Sequence, residues 1–125
     1  MTPALVHDVG ISADCIDPKT VDRWWIIKDE IKLAGAEFFG YWFNDEVKSA
    51  SPGVYVSWYK MPENSPYRYL IVAGNFGRQA EKLALTHKFS DVKEYYDLWN
   101  RKEMTPADLE NTLLEGNHFA LIGVR

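Results

Sequence analysis

His7 and Asp8, followed by Asp14, Cys15 and Asp17, bring an imidazole, a thiol and several carboxylates into one short stretch. Such groups could ligate a metal ion, or a Cys–His pair could serve as nucleophile and base. Either chemistry needs a defined spacing and a convergent third group, and this stretch supplies neither. His7 and Asp8 therefore read as a strand end, Asp14 as a turn residue and Asp17 as a helix cap. The acidic pairs Asp29-Glu30 and Asp45-Glu46 fail as catalytic pairs for a geometrical reason. Neighbours on a helix or strand point in different directions, whereas a retaining glycosidase needs carboxylates facing each other at about 5–5.5 Å. Both pairs read as solvated charge. His87 and His118 have no nucleophile beside them and read as hydrogen-bonding residues at strand ends. "GNFGRQ" has the glycines of a phosphate loop but lacks the Lys-Ser/Thr and a helix behind it, so it reads as a turn.

The aromatic residues carry another chemistry. Trp42, Tyr55, Trp58, Tyr59, Tyr67, Tyr69 and Trp99 could offer apolar planes to the C–H faces of sugars, with polar neighbours taking the hydroxyls. Strand propensity and cross-strand packing recruit the same residue types, so most of them read as core. In "VYVSWYK", Val54, Val56 and Trp58 share one face, and Tyr55, Ser57 and Tyr59 share the other. Tyr55 and Tyr59 on that second face, together with Trp42, are the candidate carbohydrate-binding residues. No catalytic residue, metal ligand or cofactor site is assigned.

The scaffold for these residues is bounded by composition. A chain of 125 residues is one domain by length, and 46% hydrophobic residues suffice for a core. The net charge of −4 comes with no basic block, which argues against nucleic-acid binding. No apolar run approaches the roughly 18 residues of a membrane span. Cys15 is the lone cysteine, so no internal disulfide or thiolate zinc cluster can form. The opening "MTPALVHDVG" has neither the basic nor the long apolar region of a signal peptide. An apolar, strand-like run begins almost at once there, which reads as part of a longer protein.

One strong helix is expected over residues 18–34, with Asp17 as cap, Pro18 at the first position and Gly35 at the C-terminal stop. Val21, Trp24, Ile27 and Ile31 recur at helical spacing, and Trp25 and Ile26 widen the apolar face beyond one partner surface. After Gly35 the period changes. "EFFGYWF" reads as a short strand, "NDEVKSASPG" as a loop, "MPENSP" as a hairpin connection and "YRYLIVAGNF" as a central strand. "RQAEKLAL", "VKEYYDLW" and "HFALIGVR" complete the strands. "TPADLENTLLEG" holds a helical turn capped by Thr105 with Pro106 first. The fold class is therefore mainly β: an antiparallel sandwich of Greek-key type preceded by a helical segment.

The succession "VSWYK", hairpin, "LIVAGNFG", "KLAL", "YYDLWNRKEM" and "GNHFALIGVR" resembles the C-terminal β-sandwich of retaining glycoside hydrolases. These include α-galactosidases and related uncharacterised bacterial glycosidase-like proteins. Asp97, Leu98 and Trp99 match a strand that enters a turn at Asp-Leu-Trp. His118, Leu121, Ile122 and Arg125 match the last strand, and Asn75 matches the end of the middle one. The resemblance covers residues 53–125, departs from the pattern at "TPADLENTLLEG", and fits residues 1–52 poorly. It implies residues 1–36 as the helical tail of a preceding catalytic domain and 37–125 as the sandwich. It further implies a non-catalytic accessory role, with acid and nucleophile on a barrel outside this chain. Leu98 and Trp99 would anchor the strand end, and Asp97 would satisfy turn donors with help from His118. The expected partners are that barrel and carbohydrate, with self-association through the helix once the barrel is missing. A free-standing carbohydrate-binding module is the alternative, and a small enzyme built on His7, Asp8 and Asp14 the third reading.

Overall fold

The computed structural model describes residues 18–43, 45–90, 92–116 and 118–125. The cluster of His7, Asp8, Asp14 and Cys15 and the cap at Asp17 lie outside the described residues.

Helix α1 spans Pro18–Ile31 among the described residues. It stops short of the expected end, because Lys32 turns into the left-handed region (φ 60°) and Leu33–Gly35 form a single 3-10 turn. Reversal at Lys32 replaces the glycine stop expected at Gly35. Next come β1 (Glu37–Phe39), a 3-10 turn at Tyr41–Phe43, β2 (Val47–Ser49), β3 (Val54–Lys60) and β4 (Tyr69–Asn75). β5 (Glu81–Lys82), β6 (Leu85–His87), β7 (Tyr95–Asp97) and β8 (Lys102–Met104) follow. Helix α2 (Pro106–Asn111), β9 (Leu113–Leu114) and β10 (Phe119–Val124) end the chain. "EFFGYWF" is thus only half strand, and the expected loop "NDEVKSASPG" contains β2.

The main sheet is antiparallel, in the order β1-β3-β4-β10-β7-β8. β4 is central, as the unbroken apolar run "LIVAG" predicts. β10 lies between β4 and β7, so the chain crosses β7 after leaving β8. The mainly β, antiparallel class with a helix ahead of it is what the sequence leads one to expect. One face of the sheet carries Val54, Val56, Trp58, Ile71, Ala73, Ile122 and Val124. Val47, Leu85 and Leu114 of the ribbons β2–β6 and β5–β9, Leu83 between β5 and β6, and Leu109 of α2 pack against them. On the opposite face Tyr59, Leu70, Val72 and Leu121 receive Trp24, Ile27 and Ile31 of α1.

Several local devices hold this arrangement. Asn75 is fully buried at the end of β4; its amide donates to the carbonyls of Gln79 and Leu114, both at 2.8 Å, and accepts from the Gly77 N–H. That amide turns "GNFGRQ" into the connection between β4 and β5 and satisfies groups that would otherwise be buried unpaired. α2 is capped as expected: Thr105 accepts from the Asp108 N–H, and the Asp108 carboxylate accepts from the Thr105 N–H. The Thr105 N–H first, and the Thr105 side chain second, hold the Asp108 carboxyl below the usual carboxylate range.

Candidate functional site

Three sequence features raise the surface that carries the candidate aromatics. Ser57 faces the α1 side of β3, and its hydroxyl accepts from the Tyr41 N–H at 3.0 Å, which ties the 3-10 turn to the sheet. Gly40 lets the Trp42 indole fold back over the chain; a Cβ there would sit 2.5 Å from the ring. β2 is tied to the segment between β5 and β6 by the Ser49 hydroxyl, which donates to the Leu83 carbonyl at 2.7 Å.

The result is a cleft of about 280 Å³ between the 3-10 turn, β2 and the first half of β3. Trp42 is 53% exposed and Tyr55 41%. Tyr41 lies between them, with ring centroids 5.2 Å from Trp42 and 5.0 Å from Tyr55. Phe76 supports Tyr55 from β4's end at 5.1 Å. Asp45 and Lys48 give the rim one carboxylate and one ammonium, 3.7 Å apart and largely solvated. Rings held by other rings lose little freedom on binding. Chemically, the cleft offers apolar planes beside a donor and an acceptor.

Two of the three candidates, Trp42 and Tyr55, are brought together here. Tyr59 is not. It is 4% exposed, lies beneath α1 and packs on Phe38 at 5.0 Å, so its ring has no face to offer a ligand. The alternation in β3 was correct, but α1 covers the face that the sequence assigns to solvent. Asp45 is solvated as expected, but nothing in the sequence marks it, Tyr41 or Lys48 as part of a cleft. The three residues of β2 are too few for a strand period to show, and Tyr41 sits in a turn that reads as strand.

The remaining chemistry-bearing residues are structural. Asp97 accepts from the Asn100 N–H and from its side-chain amide, both at 2.9 Å, closing the turn after β7. His118 takes no part in this: it is exposed and lies 3.6 Å from the Glu115 carboxylate. Leu98 is buried, but Trp99 is only partly so, edge-on to Phe119 with the Arg23 guanidinium 4.4 Å over its ring. Glu30 is exposed, as expected of solvated charge, and pairs with Arg101 at 2.5 and 3.2 Å, tying α1 to the β7–β8 turn. His87 ends β6 as expected, with Nε2 2.7 Å from the Tyr95 hydroxyl. Its Nδ1 is buried without a partner, and burial pushes the imidazole pKa down. Trp58 and Tyr69 belong to the core and its margin, and the Tyr67 ring lies flat over Gly123, where a Cβ would meet it at 2.7 Å.

Among the described residues no three His, Cys, Asp or Glu side chains gather as they would around a metal ion. No described helix is long and apolar enough to cross a membrane. Comparison with protein-family models, curated proteins and solved structures finds no match for this chain.

Proposed function

We propose that this chain is a non-catalytic β accessory module of a glycoside-hydrolase-like protein, and that it contacts carbohydrate through the Trp42–Tyr55 cleft. The observation that carries the reading is the convergence of two exposed rings on one cleft with Asp45 and Lys48 at its rim. Pyranoses present alternating C–H faces and hydroxyls, and such a surface matches both. The resemblance of residues 53–125 to the glycosidase sandwich supports the same reading.

A docked module is favoured over a free-standing one by α1. Its Trp25 and Ile26 are 56% and 55% exposed, side by side on the face turned away from the sheet. An apolar pair of this size on a helix marks a surface with a partner, and the barrel of the parent protein is the partner proposed.

The test is titration calorimetry of the chain against a panel of soluble neutral oligosaccharides, with Trp42→Ala alongside. Binding should weaken about tenfold or more in the variant, about 1.4 kcal/mol, with little loss of stability because the ring is exposed. Equal affinity in the two proteins refutes the Trp42–Tyr55 cleft as the contact surface, and no binding across the panel refutes the carbohydrate reading.

A further inference from the structure

The Trp42–Tyr55 cleft does not end at Asp45. That carboxylate also lines a second, larger cleft of about 550 Å³, bounded by β1, the far half of β3 and the segment after β6. Ligand sites commonly run about 300–1,000 Å³. The first cleft alone is therefore at the lower limit, with room for about one sugar ring, whereas the two together accommodate several. The second cleft has its own aromatic wall. Phe39 lies flat on Trp58, with centroids 4.1 Å apart and planes at 9°, and is partly exposed at the cleft. Its plane is set before any ligand arrives.

Charge narrows the ligand class. Glu37, Asp45 and Glu46 line the two clefts together with Lys48, Lys60 and Lys88. Three carboxylates against three ammonium groups leave no net field to attract a polyanion. Hydroxyl groups can both donate to carboxylates and accept from ammonium groups, so a neutral polyol meets a partner at each position.

We infer that the two clefts form one groove, continuous past Asp45, for an internal stretch of a neutral, linear oligosaccharide rather than for a single terminal sugar. This deepens the carbohydrate reading above and rests on it. The test is calorimetry with neutral β-1,4-linked gluco-, manno- and xylo-oligosaccharides and α-1,4-linked gluco-oligosaccharides, each from disaccharide to hexasaccharide. Oligogalacturonates of matched length are the anionic arm. In the series that binds, affinity should rise about tenfold or more from the disaccharide to the longer members, the effect of about 1.4 kcal/mol of added contact. The double variant Lys60→Ala, Lys88→Ala, both at exposed positions, should lose that gain and keep its melting midpoint. Trp42-dependent binding that is flat with length overturns the groove but leaves the carbohydrate reading standing. Stronger binding of the galacturonates overturns the neutral assignment. Absence of binding at every length overturns the groove and the reading beneath it.

Discussion

Replacing Tyr59 by alanine separates the sequence expectation from the structure most sharply. Alternation in β3 puts Tyr59 on the outer face with Tyr55, where truncation would cost no more than about 1 kcal/mol. The structure puts it under α1, 4% exposed, against Phe38 and within the cluster formed by Trp24, Ile27, Leu70 and Leu121. A buried tyrosine removes roughly 150–250 Å² from water. At about 25 cal/mol per Å² this is an upper bound of roughly 4–6 kcal/mol, and truncation of a buried aromatic ring costs about 3–5 kcal/mol. Against a total stability of roughly 5–15 kcal/mol, Tyr59→Ala should lose a large fraction of the margin. Urea denaturation followed by tryptophan fluorescence and far-UV circular dichroism measures it, with Tyr55→Ala as the exposed control. A Tyr59→Ala loss below about 1 kcal/mol at unchanged denaturant slope would refute the placement of α1 over this face.

Lys32→Gly should stabilise by about 1 kcal/mol, because an exposed lysine there holds φ at 60°, a conformation that costs an L-residue about 1–2 kcal/mol; a lower melting midpoint contradicts the αL stop. The lowered pKa of His87 means that the folded state binds its proton later than the unfolded chain does. Stability should be level above about pH 6.5 and fall as pH drops through that value, and His87→Phe should flatten the slope between about pH 5 and 7. Sedimentation of the isolated chain should show self-association through Trp25 and Ile26, abolished in Trp25→Lys, Ile26→Lys with little change in stability. A wild type that stays monomeric at high concentration contradicts the expectation of a partner surface on α1.

Local chemistry was legible wherever it is written in neighbouring residues. Thr105 and Pro106 announce α2, since a cap and a first-turn proline act within one helical turn. "LIVAG" announces a strand covered on both faces, and "MPENSP" a hairpin connection. Trp25 and Ile26 exceed what one surface can cover, and they are indeed exposed. Only the tertiary structure decided which face of each element meets solvent. Period-two alternation distinguishes the two faces of β3 but carries no information on whether a helix lies over the polar-looking one, so Tyr59 and Tyr55 look alike in sequence and part company in space. Likewise Asp45, Lys48, Tyr41 and Trp42 belong to segments too short to carry a period. They become one cleft because the Ser57 hydroxyl and the space over Gly40 hold the 3-10 turn against β3, and β2 packs beside the same strand. Contacts between residues distant in the chain depend on how closure entropy is offset across the whole fold, and no local pattern encodes that.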